Sequence, residues 1–364
     1  MKIKNIAQIV TTVLFSALLG GFCLLTVLLP KQTVSESERR ELAKMPELSW
    51  QTAVDGTFFN DLTEYVTDHF ALRETFRSLN TVLRVDVLRQ PDTGGVFEAD
   101  GYLFEPEWPM DEQAMRQNTQ KMQSIVDTHF AGKPVYFSVI PDKSDYTDKT
   151  CLKLDTQAVA DFVQQNFSGD YIDITDTLEL TDYYRTDTHW KQEMLEDTAN
   201  ALVLGMGGEP LQNDFEWKTL DEPFYGVLWG RYAKPLDFAD VLCYGVNDAT
   251  KKAVVRDLTH PKVSTVYVPE TTPSDKYDVF LSGATPIIEI ENANAEIQEH
   301  LVLFRDSFGS SIAPWLLTRY EKITIIDIRY VSSAILGEQT DLTTADKVLF
   351  LYSTAILNTG GILK

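Results

Sequence analysis

The sequence predicts an α/β fold in which helices flank a mostly parallel sheet, with an N-terminal transmembrane helix and a β-rich insertion. Short, continuously apolar runs ended by turn residues predict buried parallel strands. Helical stretches separate several of these runs, and this alternation is typical of parallel sheets covered on both faces. Apolar residues make up 44% of the 364 residues, which is enough for a full hydrophobic core.

The chain opens with an uncharged apolar run of 24 residues, Ile6 to Leu29. A helix of about 20 residues crosses a bilayer, and Lys2 and Lys4 before the run favour a cytoplasmic amino terminus. A cleaved signal peptide is the alternative, but the run is long for one and Leu28-Leu29-Pro30 is a poor cleavage site. We therefore expect residues 1–30 to anchor the protein in the cell membrane, with a single pass and an extracytoplasmic body.

Residues 31–90 are predicted to form a stalk and a helical segment. Ser35 and Glu38 have the spacing of a capping box, which predicts a brief helix over 36–44. Apolar residues at mostly helical spacing follow between 58 and 76.

Residues 91–364 carry the α/β pattern. Helices are predicted over 115–130 and 310–321. Strands are predicted at "PVYFSVI" (134–140), "YIDIT" near 171, "LVLF" (301–304), "ITIIDI" (323–328) and "VLFLY" (348–352). The stretch between 205 and 282 is richer in turns and aromatic residues, and we interpret it as an insertion or a β-rich lobe.

The charge balance excludes several classes of partner. Lys and Arg total 32 against 54 Asp and Glu, a net charge of −22. Binding to nucleic acid or to anionic lipid needs a positive surface, so neither is expected. Three cysteines, Cys23, Cys151 and Cys243, show no metal-ligand spacing, and a Cys151–Cys243 disulfide is one possibility outside the cell.

An acid and a histidine stand two residues apart in "YYRTDTHWKQ". In an extended segment, residues at i and i+2 project to the same side, so Asp187 can orient the His189 imidazole. Asp127 and His129 repeat the spacing within a predicted helix, where such residues do not face each other. The alternative for Asp187 and His189 is a solvated surface loop.

Ser307 is the candidate nucleophile for such a pair. It follows an apolar strand and precedes a helix, which places it at the carboxyl end of a parallel strand, where open α/β sheets bind ligands. Backbone N–H groups of this turn are expected to face an oxygen beside Ser307, and Pro314 is expected in the first helical turn. The alternatives are a serine that only caps the helix, and a metal site. Since a metal site needs three or four clustered ligands, we expect no metal and no cofactor.

The segments "RTDTHW", "LVLFRDSFGSS" and "IIDIRY" together resemble the DHHW-type proteins of Gram-positive bacteria. Those proteins are similar to the SGNH-hydrolase-like part of alginate and exopolysaccharide O-acetyltransferases. The resemblance implies an SGNH-hydrolase-like sheet and a triad of Ser307, His189 and Asp187. Two residues depart from the pattern: Thr188 replaces a histidine, and Arg305 replaces the glycine of the Gly-Asp-Ser block, which is expected to crowd or charge the site.

The resemblance implies O-acetylation of a cell-surface or secreted polysaccharide, with a membrane-bound acyltransferase as the possible acyl donor. A polysaccharide acetylesterase with the same triad and a non-catalytic surface-binding module are the alternatives. Candidates for the sugar groove and for additional oxyanion donors are less specific: Trp190, Trp229 and Trp315 for the first, and Gly283, Arg329 and Asn358 for the second.

Overall fold

The computed structural model describes residues 2–35, 37–149, 152–269, 275–293, 295 and 297–364, with side chains from residue 6 onward. The chain divides into two compact units. The first is Met1–Thr93 with Gly230–Leu236, and the second is Gly94–Trp229 with Asp237–Lys364. Cys151, the partner considered for Cys243, lies outside the described residues.

The first unit is mainly helical. Its elements are α1 (Lys2–Leu28), β1 (Val34–Ser35), β2 (Arg40–Glu41), α2 (Trp50–Val54), α3 (Thr57–Asp68) and α4 (Arg73–Thr81), which continues as a π-helical segment, Val82–Val87. Within the described residues, Ile6–Leu28 is one helix long and apolar enough to cross a membrane. A signal sequence satisfies the same criteria of length and composition.

The helix predicted over 36–44 is wrong. β1 and β2 pair as antiparallel strands around this position, and residue 36 lies outside the described residues. Ser35 Oγ does accept the Glu38 N–H at 3.2 Å. The capping contact therefore forms, but it closes a turn between two strands instead of starting a helix.

The second unit contains the main sheet. Its strands are β3 (Phe97–Ala99), β4 (Tyr102–Phe104), β5 (Val135–Ile140), β6 (Asp170–Tyr171), β7 (Glu216–Thr219), β8 (Cys243–Val246), β9 (Val254–Asp257), β10 (Lys262–Ser264), β11 (Ile287–Glu291), β12 (Ile297–Arg305), β13 (Tyr320–Ile326) and β14 (Lys347–Ser353). Its helices are α5 (Glu112–His129), α6 (Thr156–Asn166), α7 (Glu196–Gly205), α8 (Val227–Tyr232, which ends in the first unit), α9 (Asp248–Lys252), α10 (Gly309–Leu317), α11 (Leu336–Gln339) and α12 (Thr354–Leu357).

Eight of these strands form one sheet in the order β10-β9-β11-β13-β12-β14-β5-β6. The five strands from β13 to β6 are parallel, and β11, β9 and β10 extend the sheet as antiparallel strands. The predicted α/β class with a mostly parallel sheet is therefore confirmed. The segment between 205 and 282 contains four strands. β7 and β8 form a separate antiparallel pair, whereas β9 and β10 lie at the edge of the main sheet.

Helices cover both faces of the sheet, as the continuously apolar strands require. Along β12, Leu301 and Leu303 pack into one hydrophobic cluster with residues of α7 and α10. Val302 and Phe304 point to the opposite face and pack with residues of α5 and α6. Because both faces of β12 are buried, it is a central strand, between β13 and β14. The turn that follows β12 therefore lies at the carboxyl edge of the parallel strands.

The helix after that turn differs from the prediction in its bounds and in the place of its proline. The predicted range is 310–321, but the helix ends at Leu317, and β13 begins at Tyr320. α10 begins at Gly309, so Pro314 is its sixth residue and not part of the first turn. Proline has no N–H for the interior of a helix, and α10 ends three residues later at Leu317.

Candidate active site

The structure brings Ser307 and the Asp187–His189 pair together, although 118 residues separate Ser307 from His189. Ser307 lies in the turn between β12 and α10, at the carboxyl edge of the parallel strands. Asp187 and His189 lie in a loop closed by an antiparallel bridge between Tyr183 and Trp190. The two segments meet at the edge where ligand sites of open α/β sheets occur.

The three side chains form one hydrogen-bonded chain. His189 Nε2 lies 2.8 Å from Ser307 Oγ, and His189 Nδ1 lies 2.5 Å from Asp187 Oδ1. Since a carboxylate only accepts, the imidazole proton belongs on Nδ1, which leaves Nε2 able to accept the Ser307 hydroxyl proton. The His189 side chain is 12% exposed, and Asp187 is fully buried.

Backbone groups hold the Asp187 carboxylate. Oδ1 also accepts the His189 N–H at 3.0 Å, and Oδ2 accepts the Val227 N–H at 2.8 Å. Gly226 packs directly against it: a Cβ at this position would lie 2.2 Å from the Asp187 Cβ. The carboxylate therefore has defined donors on both oxygens and little freedom to rotate.

Aromatic rings fix the plane of the imidazole. The Tyr277 ring stacks on His189 with centroids 4.0 Å apart, and Phe308 packs against it at 4.7 Å. The Tyr277 hydroxyl donates to Ser311 Oγ at 2.9 Å, and burial raises the pKa of Tyr277 well above its ordinary value. Tyr277 is therefore a neutral ring that positions His189.

A buried lysine that the sequence analysis did not single out binds the backbone of the loop that carries Asp187 and His189. Lys143 Nζ donates to the carbonyl oxygens of Asp187 at 2.6 Å and Tyr184 at 3.0 Å. The side chain is 1% exposed. Burial lowers the pKa of Lys143 to about 8, an effect that the carboxylates of Asp142 and Asp187 oppose. Its position after β5 and Pro141, at the same sheet edge as Ser307, is the one signal that the sequence offers.

A second buried acid holds the start of the same loop. Asp240 accepts the N–H groups of Arg185 and Thr186, both at 2.8 Å, and the Thr186 hydroxyl at 2.6 Å. Thr186 Oγ1 in turn accepts the Gly226 N–H at 2.8 Å. Nothing in the sequence near 240 indicates this role, because the contact joins segments that are far apart along the chain.

The turn that carries Ser307 is fixed by Asp306. Its carboxylate accepts the N–H groups of Phe308 at 3.0 Å and Ser353 at 2.8 Å, so it links the ends of β12 and β14. The Gly309 N–H donates to the Asp306 carbonyl, and the Ser310 N–H donates to the Ser307 carbonyl. The expectation that the N–H groups following Ser307 face an oxyanion is therefore wrong for these three donors, since each is used within the turn.

The three additional oxyanion candidates are also engaged. The Arg329 guanidinium donates to both oxygens of Asp327, at 2.8 and 2.6 Å. The Asn358 side chain donates to the Pro109 carbonyl. The Gly283 N–H donates to the Phe280 carbonyl.

Arg305 does not crowd the site. Its guanidinium is 1% exposed and points into the fold, where Nη1 lies 3.5 Å from Asp327 Oδ2 and donates to the Asp306 carbonyl at 3.2 Å. Burial lowers the pKa of Arg305. Gly309 leaves room for this side chain, because a Cβ there would lie 2.5 Å from the Arg305 Cβ.

Two of the three tryptophans considered for a sugar groove belong to the core. Trp190 and Trp315 are fully buried, and their indole N–H groups donate inside the protein. Trp229 is partly exposed and packs against Tyr225, with ring centroids 4.7 Å apart. This pair flanks Gly226, which touches Asp187, so an aromatic surface lies next to the candidate triad.

The other histidines lie elsewhere in the fold. His129 ends α5, and the His260 side chain is 80% exposed. His300 is buried on β12, with Nδ1 2.9 Å from Thr344 Oγ1 and Nε2 2.8 Å from Thr324 Oγ1. Burial lowers the pKa of His300 to about 4, with a smaller contribution from the Lys322 charge.

Comparison with known proteins supports the fold. Neither a protein-family model nor a curated protein matches the sequence. A DHHW family protein from Eubacterium siraeum is 19% identical, with a TM-score of 0.60, over 73% of this chain and 92% of that one. The chain shares the fold of a DHHW family protein. Bacillus cereus PatB1 is 17% identical with a TM-score of 0.58, over 74% of this chain and 98% of that one.

PatB1 with a sulfonyl adduct is a further match, at 16% identity and a TM-score of 0.57. The predicted likeness to DHHW-type proteins is therefore confirmed at the level of fold.

Proposed function

We propose that the protein is a membrane-anchored, extracytoplasmic enzyme that transfers acetyl groups to a cell-surface or secreted polysaccharide. The observation that carries the proposal is the hydrogen-bonded chain from Ser307 through His189 to Asp187, with contacts of 2.8 and 2.5 Å. Serine is a weak nucleophile until a base accepts its proton. A buried acid on the far nitrogen orients that base and stabilises its cationic form.

The reaction is proposed to run in two halves. In the first, the Ser307 hydroxyl proton passes to His189 as Oγ bonds to the acetyl carbon of the donor. The bond from that carbon to the leaving group breaks, and the leaving group takes the proton from His189. In the second, His189 accepts the proton of a sugar hydroxyl, whose oxygen bonds to the acetyl carbon and displaces Ser307 Oγ, which regains the proton.

The acceptor is proposed to lie against the Tyr225–Trp229 pair. Pyranose rings present C–H faces that pack on aromatic rings, and this pair combines partial exposure with a position next to the triad acid. A net charge of −22 favours a neutral or cationic acceptor over an anionic one.

The membrane topology is part of the proposal. Ile6–Leu28 is proposed to remain attached as a single span, with Lys2 and Lys4 on the cytoplasmic side. By the DHHW-type resemblance, a membrane-bound acyltransferase would supply the acyl group. Sequencing of the amino terminus of the mature protein tests the anchor, since a start after Leu29 would contradict it.

A serine-directed sulfonyl fluoride and an aryl acetate test the chemistry on the full chain in detergent. We expect wild type to be labelled at Ser307 and to release the phenol, and Ser307→Ala to do neither, with His260→Ala as the exposed control. Adding an oligosaccharide then separates the activities: an acetylated sugar indicates transfer, and acetate alone indicates an esterase. If folded wild type is neither labelled nor active, the proposed enzyme is wrong and a non-catalytic surface module is favoured.

A further inference from the structure

Helix α4 and its π-helical continuation carry a stripe of exposed apolar side chains. Phe76, Leu79, Leu83 and Val87 recur three or four residues apart, so they lie on one face. Their exposed fractions are 42%, 58%, 47% and 63%. A continuous apolar face of this kind is unusual on a protein surface that meets only water.

The two arginines of α4 are turned to protein. Arg73 pairs with Glu38 at 2.9 Å, and its side chain is 18% exposed. Arg77 is 22% exposed and pairs with Glu74 at 2.8 Å. The helix thus turns Arg73 and Arg77 to protein and exposes its apolar stripe, which is the reverse of a helix on a soluble domain. Glu74 and Arg84 remain exposed beside the stripe.

The apolar stripe begins at the transmembrane candidate. Phe22 of α1 stacks on Phe70 with centroids 5.7 Å apart and lies 5.5 Å from Phe76. The Ala71 N–H donates to Thr26 Oγ1 at 3.1 Å. The start of α4 is therefore held against the last two turns of α1.

This contact fixes the depth of the stripe. Phe22 lies six residues before Leu28, the end of the apolar span, which is about 9 Å along a helix. Amphipathic helices that lie in a membrane surface bury their apolar face about 5–10 Å into the boundary between headgroups and acyl chains. The stripe of α4 would reach the bilayer at that level.

We propose that α4 and its continuation, Arg73–Val87, lie in the membrane interface with Phe76, Leu79 and Leu83 inserted among lipid acyl chains. The partner is the bilayer itself, at the carboxyl end of α1. Arg73 and Arg77 are already paired with Glu38 and Glu74, and Arg84 is the other arginine of the segment, so the attraction is mainly apolar and does not require anionic headgroups. The inference rests on α1 remaining as the anchor, and it is independent of the proposed acetyl transfer.

Spin-label accessibility tests this in the full chain without its three cysteines, reconstituted in phosphatidylcholine vesicles. Single labels are placed by Leu79→Cys on the stripe and Asn80→Cys on the neighbouring face, both of which are exposed positions. We expect the label at 79 to be accessible to oxygen and shielded from a water-soluble nickel chelate. Its ratio of oxygen to nickel accessibility should be at least about fivefold higher than that of the label at 80. Adding phosphatidylglycerol should leave that ratio unchanged.

A label introduced by Leu14→Cys, in the middle of α1, separates the two possible failures. If the label at 14 is in lipid and the label at 79 is as accessible to nickel as the label at 80, the inference is overturned and the anchor stands. If the label at 14 is itself in water, the anchor fails and the inference fails with it. Leu83→Cys gives the same reading should the Leu79→Cys variant not fold.

Discussion

Replacement of Asp187 by asparagine is the most informative perturbation of the site. In the native arrangement Oδ1 accepts two donors from His189, and Oδ2 accepts the Val227 N–H. Asparagine has one acceptor oxygen and one NH₂ group. If the oxygen takes the Oδ1 position, the NH₂ opposes the Val227 N–H. If it takes the Oδ2 position, the NH₂ faces His189 Nδ1 and forces the proton onto Nε2, toward Ser307.

The magnitude follows from burial. Asp187 is fully buried, and the His189 side chain is 12% exposed, so water does not replace the lost interaction. When His189 takes the Ser307 proton it becomes the cationic partner of Asp187, and removing one charge of such a buried pair costs about 3–5 kcal/mol. At about 1.4 kcal/mol for each tenfold change in rate, the acetyl-ester turnover should fall by about a hundredfold to several thousandfold. The unmatched donor should also lower the free energy of unfolding by about 1–3 kcal/mol.

Turnover of an aryl acetate by the full chain in detergent measures the effect, with urea unfolding run in parallel. Asp182→Asn is the matched control, because Asp182 is buried at the base of the same loop and its carboxylate accepts the Glu179 N–H without touching His189. That control should lose stability but keep turnover within about threefold. If Asp187→Asn retains wild-type turnover while Ser307→Ala has none, the assignment of Asp187 is wrong.

Three further outcomes are expected. Lys143→Met should reduce turnover by about tenfold and remove an alkaline limb near pH 8 from the wild-type profile, because loss of the Lys143 proton weakens the support of Asp187; a limb that persists in the variant would contradict this. Gly226→Ala should lower the free energy of unfolding by about 1–3 kcal/mol and impair turnover, since its Cβ would overlap Asp187; wild-type behaviour in both assays would refute the close contact. The folded pKa of His300, about 4, lies below the unfolded value of 6.5. As pH falls, the unfolded chain therefore binds the extra proton before the folded protein does. Between pH 7 and pH 4 the free energy of unfolding of wild type should fall by about 3 kcal/mol more than that of His300→Leu, as measured by urea unfolding.

Much of the fold could be predicted from local pattern. The continuously apolar runs at 134–140, 301–304 and 348–352 became β5, β12 and β14 because both faces of a central parallel strand are buried, which leaves an uninterrupted apolar run in the sequence itself. The capping-box spacing at Ser35 failed because a side-chain contact of that kind closes turns as well as helices, and the pairing of β1 with β2 decided between them.

The sequence by itself also determined which residues were chemically suited to a triad: an acid and a histidine two residues apart, and a serine directly after a buried strand. Only the tertiary structure decided what surrounds them. Lys143, Asp240 and Gly226 reach the Asp187 loop from distant segments through backbone carbonyls, N–H groups and a missing Cβ, none of which leaves a local motif. Side-chain type and spacing can be read from the sequence, but contacts with backbone atoms depend on which distant segments the tertiary structure brings together.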